Sequence, residues 1–412
     1  MKTTFSSAAV AAALMSTCLA APVTVTFKEK ITSSDGAAFD QFGFSVALDG
    51  DSKLIGARLD DDHGLSSGSA YLFDAMGSET KLTAADAADG DQFGYSVALD
   101  GGKALVGASS GDGNSGDSGA VYLFNGIGGQ SKLSAGDGAP SDFFGSAVAL
   151  ENGTALVGAR GDDDLGANSG SAYLINPLGN QTKRTAADGV QGDAFGFSVA
   201  LDNGTSLIGA FADDDAGNGS GSASMIDANG VQTKLTASDG AEGDQFGWSV
   251  ALEGGTALIG ARADDDLGTN SGSAYLFDAL GNETKLLASD GLLGDQFGFS
   301  VALSDRYAVI GSLLNDNVNG FDAGAVYVFD LLTGQEIAKL IAPDGKSSDR
   351  FGYSVAIAAN TILVGAIQAD GEVANSGAAY LFEIDVSEVP LPAAALLFPL
   401  GAGLVLRRRK KA

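Results

Sequence analysis

The chain has 412 residues, with 52 acidic and 23 basic side chains and a formal net charge of −29, and this excess of carboxylates disfavours nucleic acid and anionic membrane surfaces as partners. Its 60 glycines predict many tight turns, and its single cysteine, Cys18, excludes a disulfide framework within the chain.

Residues 1–20 have the layout of a secretory signal peptide. Lys2 precedes an apolar stretch from Ala8 to Met15, and the small residues Cys18 and Ala20 place the cleavage after Ala20. A buried N-terminal strand or helix is the alternative. The sequence therefore predicts export across the inner membrane and a mature chain that begins at residue 21.

The rest of the chain is organised by one repeated motif, of which Asp244 to Leu252 (DQFGWSVAL) is a representative copy. The glycine of its Phe-Gly pair recurs every 51 residues, with a last interval of 54, at Gly43, Gly94, Gly145, Gly196, Gly247, Gly298 and Gly352. A fixed period of this length is typical of solenoids, propellers and other repeat arrays.

One period contains four short apolar runs: Phe246 to Leu252, Thr256 to Ala261, Ser273 to Asp278, and Thr284 to Ser289. They are rich in β-branched and aromatic residues and are bounded by Gly, Asp and Asn, which predicts antiparallel strands joined by tight turns. Helical apolar spacing is not sustained in any window, so almost no helix is expected. The sequence therefore predicts an all-β fold, a seven-bladed β-propeller of four-stranded antiparallel blades, over residues 21–385.

The last repeat has no fourth run of its own, because its third run ends near Ile384 and leads into Val386 to Pro390. At the other end, Val23 to Thr32 precedes the first Phe-Gly pair and ends in KIT, which matches the KLT of other repeats. We therefore expect this N-terminal strand to complete the seventh blade and to close the ring without a free sheet edge.

Two acidic clusters recur in each repeat. The first lies between the second and third runs and gives the candidate metal ligands Asp60, Asp61, Asp62, Asp162, Asp163, Asp164, Asp213, Asp214, Asp215, Asp264, Asp265, Asp266, Asp316 and Asp322. The second precedes the Phe-Gly pair, as in Asp137 with Asp142 and Asp89 with Asp91. Carboxylates in glycine-rich loops suit Ca²⁺, but they also cap turns by accepting backbone hydrogen bonds. The side chains of three consecutive aspartates point in different directions, so at most one or two per loop could bind the same ion. Two interpretations therefore stay open: calcium binding in at least one loop, and turn capping alone.

Seven Phe-Gly-x-Ser-Val units, each followed by Ile-Gly-Ala or Val-Gly-Ala and then by a Gly-x-Ala-Tyr-Leu-Phe strand, resemble FG-GAP repeats, as in the propeller of integrin α subunits. The resemblance covers about residues 23–384. It departs from the family pattern in two places. Arg, Ser, Phe or Ile follows Gly-Ala where the family has Pro, and the order of acidic residues in the calcium loop is altered. The resemblance implies extracellular recognition or adhesion rather than catalysis, and Ca²⁺ is the one cofactor that it suggests.

The tail, residues 386–412, contains an apolar run from Ala393 to Leu406 followed by a basic cluster. The order of its segments resembles a PEP-CTERM sorting signal, although Leu391 stands where that motif usually has glutamate. The residues assigned to the signal are Val389, Pro390, Pro392, Arg407, Arg408 and Arg409. The resemblance implies transient insertion into the inner membrane, processing by an exosortase-type enzyme, and display at a bacterial cell surface or in the extracellular matrix. A simple C-terminal membrane anchor is the alternative.

No residue stands out as catalytic. His63 has no counterpart in the other repeats, and Trp248 occupies a position that is aromatic in most of them, which predicts packing between blades. We therefore expect a non-catalytic extracellular propeller for adhesion or matrix binding. Its expected partner is extracellular polysaccharide or a surface protein. The sixth repeat is longer than the others, and its loops are the best candidate for a specific ligand site. The alternatives are a passive, cation-bridging component of the exopolysaccharide matrix and a hydrolase or lyase that acts on envelope polymers through a carboxylate pair.

Overall fold

A computed structural model describes residues 23–126 and 129–386, which form seven four-stranded antiparallel sheets arranged as the blades of a propeller. The predicted fold class is therefore confirmed. Residues Val25–Ile384 form one compact unit, which contains the ring. Within the described ranges, no helix has the length and apolar character needed to cross a bilayer.

The described residues contain twenty-eight strands, which build the blades. Blade 1 contains β2 (Phe42–Asp49), β3 (Ser52–Ala57), β4 (Ser69–Phe73) and β5 (Glu79–Leu82); blade 2 contains β6 (Phe93–Asp100), β7 (Lys103–Ala108), β8 (Ala120–Asn125) and β9 (Gln130–Leu133). Blade 3 contains β10 (Phe144–Glu151), β11 (Thr154–Ala159), β12 (Ser171–Ile175) and β13 (Gln181–Arg184); blade 4 contains β14 (Ser198–Asp202), β15 (Thr205–Ala210), β16 (Ser222–Ile226) and β17 (Gln232–Leu235). Blade 5 contains β18 (Phe246–Glu253), β19 (Thr256–Ala261), β20 (Ser273–Phe277) and β21 (Glu283–Leu286); blade 6 contains β22 (Phe297–Leu303), β23 (Tyr307–Ser312), β24 (Ala325–Asp330) and β25 (Gln335–Leu340). Blade 7 contains β26 (Phe351–Ala358), β27 (Thr361–Ala366), β28 (Ala378–Val386) and the N-terminal β1 (Val23–Ile31).

The ring is closed by the N-terminal strand, as the sequence predicts. The strand order of blade 7 is β1-β28-β27-β26, so β1 covers the outer edge that β28 would otherwise expose. Lys30 in β1 reinforces the closure, because its Nζ donates to Asp344 at 2.6 Å and to the carbonyl of Asp370 at 2.7 Å. All strands of the ring therefore lie within residues 23–386.

One predicted strand boundary is wrong. The fourth run of the fifth repeat was expected over residues 284–289, but β21 covers Glu283–Leu286. Beyond it the chain already turns toward the next blade, where the backbone N and the hydroxyl of Ser289 donate to the carboxylate of Glu336 at 3.0 and 2.9 Å. A hydrogen bond to the neighbouring blade thus replaces continued strand pairing.

The Phe-Gly pair forms the contact between neighbouring blades. Gly94 has φ +89°, and its carbonyl lies so close to Gly56 of the preceding blade that a Cβ there would be 2.1 Å from it. The same carbonyl accepts a hydrogen bond from the hydroxyl of Ser45 at 2.8 Å. At the ring closure, Ser354 donates in the same way to the carbonyl of Gly43. The repeated glycines and serine are therefore explained by close approach of backbones between blades.

Hydrophobic clusters fill the spaces between blades. One cluster joins Leu207 of blade 4 to Phe246, Ile259 and Tyr275 of blade 5. The phenylalanine of the motif is fully buried in each blade, and the ring of Phe246 meets that of Tyr275 with a centroid distance of 5.3 Å. The first strands of all seven blades line an axial channel with their Val-Ala-Leu segments, which read Val-Ala-Ile in blade 7.

Candidate functional site

The acidic triplets lie on one face of the ring, which we call the triplet face. It is formed by the loops between the second and third strands of each blade and by the connections from one blade to the next. The turns between first and second strands and between third and fourth strands form the opposite face, because successive antiparallel strands reverse direction. Both predicted acidic clusters therefore meet on the triplet face.

In blade 3, two aspartates of the triplet converge on one lysine. The Nζ of Lys183 lies 2.8 Å from Asp162 and 2.5 Å from Asp164. The same Nζ lies 2.8 Å from Asp137, which belongs to the connection from blade 2. The hydroxyl of Tyr173 lies 2.8 Å from Asp137 and 3.0 Å from Asp162, and it donates its proton within this group. The lysine and the tyrosine thus join the loop of a blade to the connection that enters it.

The same lysine arrangement recurs in blades 1, 4 and 5. The lysines are Lys81, Lys234 and Lys285. Each pairs with an aspartate of the preceding connection and with the first and third aspartates of its triplet. The aspartates are Asp35, Asp60 and Asp62 for Lys81, Asp188, Asp213 and Asp215 for Lys234, and Asp239, Asp264 and Asp266 for Lys285. The first aspartate of each triplet is buried, and the third is exposed.

The second aspartate of each triplet caps its own loop. Asp163 accepts a hydrogen bond from the backbone N of Asn168 at 2.7 Å. The backbone N atoms of Ser66, Gly219 and Asn270 donate in the same way to Asp61, Asp214 and Asp265. These carboxylates satisfy backbone donors in the turn, as the capping interpretation of the sequence requires.

The other blades modify the network. In blade 2, Lys132 pairs with Asp86 and with the carbonyl of Asp112, so Asp86 rather than Asp89 is the counterpart of Asp137. In blade 6, asparagines replace two aspartates of the loop, and among the described residues Lys339 forms an ion pair with Asp290 alone.

The two aspartates predicted as ligands in blade 6 contact each other through the backbone. Asp316 accepts a hydrogen bond from the backbone N of Asp322 at 2.9 Å. Asp322 has φ +49°, a left-handed turn conformation. This pair therefore caps its loop, and within the described residues neither carboxylate forms an ion pair with a lysine.

The converging oxygens also fit a cation. One oxygen each from Asp137, Asp162 and Asp164 lie within 4.8 Å of one another, a spacing that suits a hard cation such as Ca²⁺. Lys183 Nζ contacts the same three carboxylates. Its ammonium group supplies the positive charge toward which the oxygens point, so these residues fit a calcium ion only where the lysine withdraws.

The network shifts the pKa values of two sets of aspartates in opposite directions. Burial would raise the pKa of Asp137, but hydrogen bonds from Lys183 and Tyr173 hold it below its ordinary value. The pKa is lowered by the corresponding contacts at Asp35, Asp86, Asp239, Asp290 and Asp344. Asp40, just before the first Phe-Gly pair, is buried, and burial raises its pKa to about 6. Burial also raises the pKa of its counterparts Asp91, Asp142, Asp193, Asp244, Asp295 and Asp349.

These shifts predict a stability maximum at mildly acidic pH. We expect the melting temperature to rise as the pH falls from about 8 to about 5, because the Asp40 set favours the folded state more as it is protonated. Below about pH 4 it should fall, because the Asp137 set then loses the stability that its ionised form supplies. Melting curves at constant ionic strength test this, and a steady loss of stability from pH 8 downward contradicts it. Asp40→Asn keeps an acceptor for the N–H of Ala37 and should weaken the rise.

A second group of residues surrounds the axis where the first strands begin, on the triplet face. The residue after each Phe-Gly pair is aromatic in six blades and serine in blade 3, in the series Phe44, Tyr95, Ser146, Phe197, Trp248, Phe299 and Tyr353. Neighbouring rings touch: Trp248 has centroid distances of 4.5 Å to Phe197 and 5.7 Å to Phe299. The predicted packing of Trp248 between blades is therefore confirmed.

Four arginines lie close to these rings, and together with the seven residues of the series they are called the axial cluster: Arg58, Arg160, Arg262 and Arg350. The guanidinium of Arg58 lies 4.1 Å from the ring centroid of Phe44, and that of Arg262 lies 3.4 Å from the ring of Trp248. Burial raises the pKa of Tyr353 to about 12, and the nearby positive charges of Arg58, Arg350 and Arg262 oppose this rise. Three of the four guanidinium groups therefore lie near this phenol. In the described part of the chain, no carboxylate pairs with any of the four arginines.

Arg160 is held differently from its two counterparts. The Nε of Arg58 donates to Gln41 at 2.9 Å, and that of Arg262 donates to Gln245 at 2.7 Å. In blade 3, Phe143 takes the place of this glutamine, and its ring centroid lies 4.5 Å from the guanidinium of Arg160. The Nε of Arg160 is buried without a hydrogen-bond partner among the described residues.

A cavity of about 330 Å³ opens within the axial cluster. It is lined by Tyr95, Ser146, Arg160, Phe197, Trp248, Phe299 and Tyr353. Ser146 is small where the other blades have a ring, which leaves the aromatic series open at blade 3. Below the cavity the axial channel is lined by aliphatic residues of the first strands.

The sequence identifies the aromatic series and the acidic loops, but not the cavity, the arginines or the lysines that pair with the aspartates. A signal for the arginines exists: when the repeats are aligned on the Phe-Gly pair, arginine follows Gly-Ala in the first, third and fifth repeats. The predicted sorting residues Val389, Pro390, Pro392, Arg407, Arg408 and Arg409 and the predicted cleavage position Ala20 lie outside the described residues.

Comparison with known proteins agrees with the repeat architecture. The family model described as FG-GAP repeat matches the chain seven times, at residues 25–73, 76–124, 128–175, 178–226, 230–277, 280–329 and 335–382. The chain is also similar to a solved structure titled "Streptogramin B lyase structure", with a TM-score of 0.61 and 6% sequence identity over 88% of this chain and 98% of that chain. At this identity the likeness shows the fold alone. No curated protein matches the chain significantly.

Proposed function

This chain belongs to the FG-GAP repeat family, and from that premise we propose that it is a non-catalytic binding protein of the adhesion type. Its ligand is an extracellular polysaccharide, or a protein at a cell surface, bound on the triplet face. The FG-GAP propeller fold is typical of surface or adhesion-type proteins, which supports this class of function. The proposal includes export, processing of the tail by an exosortase-type enzyme, and display at a bacterial surface or in the matrix.

The observation that supports binding over catalysis is the contrast between the two groups on the triplet face. The carboxylates that could serve as acid, base or metal ligand recur from blade to blade and already pair with lysine or cap turns, as Asp162 and Asp163 do. The axial cluster, in contrast, occurs once and offers aromatic rings, arginines and a cavity, which are features of ligand sites.

The same contacts limit the role proposed for calcium. In blades 1, 3, 4 and 5, a structural ion would have to displace a lysine, such as Lys183, from three carboxylates. The alternative of a passive, cation-bridging matrix protein is weakened for the same reason, because the third aspartate of four triplets pairs with a lysine within the chain. We therefore propose binding that does not require calcium.

Binding to immobilised polysaccharides tests the function. Residues 21–388, which include every strand of the ring, would be titrated over acidic and neutral polysaccharides and over the extracellular polysaccharide of the source bacterium, with calcium and with a chelator. We expect saturable binding that persists in the chelator. Absence of saturable binding to every polysaccharide in both conditions would contradict the polysaccharide proposal.

Matched substitutions on the two faces locate the binding surface. Phe39 and Phe321 are exposed on the triplet face, and Leu178 and Leu280 are exposed on the opposite face. Glutamate at either phenylalanine should weaken binding severalfold, because it places a charge where the ligand must dock. Glutamate at either leucine adds the same charge and should leave binding unchanged. Equal effects on both faces would contradict binding on the triplet face.

A further inference from the structure

We propose that the axial cluster binds a carboxylated sugar residue, a hexuronate, of an acidic polysaccharide. This inference rests on the proposed function and names the chemistry of its ligand. The guanidinium of Arg160 binds the carboxylate, and the surrounding aromatic rings pack against the sugar ring. The site belongs to one position on the axis, so each protein molecule holds one such residue.

The charge of the cluster favours an anion. Arg58, Arg160, Arg262 and Arg350 lie together without a carboxylate partner among the described residues, although the whole chain has a net charge of −29. Most lysines on the triplet face, in contrast, are already paired with aspartates, such as Lys183 with three of them. Arg262 is partly buried against the ring of Trp248, and this burial lowers the pKa of its guanidinium. An anion that enters this environment is attracted more strongly than it is at an open surface.

Hydrogen-bond partners and position together single out Arg160: the Nε atoms of Arg160 and Arg350 are both buried without a partner among the described residues, but only Arg160 of the two lines the cavity. Glutamines hold Arg58 and Arg262, through Gln41 and Gln245. Arg160 has Phe143 at the corresponding place and lines the cavity. A guanidinium binds a carboxylate with two parallel hydrogen bonds in one plane, so Arg160 has the donors that a uronate requires.

The shape of the cavity suits a sugar ring. Its volume of about 330 Å³ lies at the small end of the range for ligand sites. The gap at Ser146 lies between Tyr95 and Phe197 of the neighbouring blades, and the rings around it supply apolar faces for the C–H groups of a pyranose. The hydroxyl of Ser146 is itself buried without a partner in the described ranges. An aromatic residue at this position, as in the other blades, would fill the gap.

The far end of the axial channel has the opposite charge. In blades 1 to 5, the residue that follows the Val-Ala-Leu segment there is acidic, in the series Asp49, Asp100, Glu151, Asp202 and Glu253. Burial, followed by repulsion from Asp202, Asp305 and Glu151, raises the pKa of Glu253, as expected for crowded carboxylates. An anionic ligand is therefore repelled from that end and attracted only to the triplet-face end.

The single tryptophan of the chain makes the test direct. Trp248 lines the cavity, so its fluorescence reports ligand entry. Residues 21–388 would be titrated with trimers of galacturonate, glucuronate and mannuronate and with neutral maltotriose. We expect a saturable change in fluorescence with at least one uronate trimer and none with maltotriose. Binding of maltotriose as tight as that of the uronates, or no binding of any uronate, would overturn the proposal.

Three variants distinguish the site from a general effect on folding. Arg160→Gln should weaken uronate binding at least about tenfold, because a charge-assisted bidentate contact is lost. Ser146→Phe restores the residue type of the sister blades, so it should melt close to the wild type and block the cavity. Arg184→Gln removes another arginine of blade 3, in β13, whose Nε is also buried without a partner among the described residues, and this variant should bind as the wild type does.

The two proposals fail in different ways. If the wild type binds whole polysaccharide while Arg160→Gln and Ser146→Phe bind it equally well, the axial site is wrong and the adhesion function remains. If no polysaccharide binds but uronate trimers still change the fluorescence of Trp248, the axial site remains and the polysaccharide function is wrong. Retention of uronate binding in Arg160→Gln would overturn the role of Arg160.

Discussion

Replacing Gly94 with alanine should lower the free energy of unfolding by roughly 2–6 kcal/mol, the sum of backbone strain and overpacking. Gly94 has φ +89°, and a Cβ at this position would lie 2.2 Å from the carbonyl oxygen of Ser69 and 3.2 Å from the backbone N of Ala57. Both atoms belong to the backbone of the preceding blade, so the contact is relieved only if the blades separate. Chemical denaturation of the variant and the wild type, followed by far-UV circular dichroism, measures the loss.

Gly101, in a turn of the same blade, provides the matched control. It also has a positive φ of +55°, but no atom lies within 4 Å of a Cβ built there. Gly101→Ala should therefore cost only about 1–2 kcal/mol, the strain of a left-handed alanine. Equal losses in the two variants would mean that the close approach of the blades contributes nothing at Gly94.

The fold could be predicted from the sequence because each repeat contains residues that mark where its strands begin and end. The period of the Phe-Gly pair sets the number of blades, and the match of Val23 to Thr32 with the KLT segments predicts the ring closure. The end of β21 could not be predicted, because the apolar pattern continues to Ala288 while the chain already leaves the sheet. Its course there is set by the contact of Ser289 with Glu336, which lies in another blade.

The acidic loops could be predicted as clusters, but their partners could not. Lys183 lies 46 residues from Asp137 and belongs to a strand that the sequence assigns only to the sheet. The propeller brings the two together because the outer strand of a blade runs beside the connection that enters it. Only the repetition of a lysine in the KLT segment, one per blade, gives a signal of this pairing in the sequence.

The axial cluster depends on the closure of the whole ring. Arg58, Arg160 and Arg262 come from alternate blades and approach each other only around the axis. The cavity further depends on one substitution, Ser146, within an otherwise aromatic series. The sixth repeat, which departs most from the sequence pattern, contributes Phe299 to the lining, whereas the gap itself arises in blade 3.

Replacing Lys183 with methionine should cost about 2–4 kcal/mol and should make stability depend on calcium. The change leaves the buried carboxylate of Asp162 without its ammonium partner, which lowers the free energy of unfolding substantially. The contribution of Asp137 and Asp164 to this loss is small, because both are half-exposed to solvent. The same three carboxylates have oxygens within 4.8 Å of one another, and without the lysine they fit a hard cation. About 10 mM Ca²⁺ should then restore about 1–2 kcal/mol, as expected for an ion bound with millimolar affinity. Thermal unfolding with calcium and with a chelator measures both effects.

Lys339→Met is the matched control, because blade 6 has the lysine without the triplet. Lys339 pairs only with the half-exposed Asp290 among the described residues, since Asn315 and Asn317 stand where the loops of blades 1, 3, 4 and 5 have aspartates. Its loss should be below about 1 kcal/mol and should not respond to calcium. If Lys183→Met is as stable as the wild type, the lysine is not the charge that neutralises the triplet. If instead the wild type gains as much from calcium as Lys183→Met does, an ion already competes with the lysine, and a calcium-assisted function becomes the better proposal.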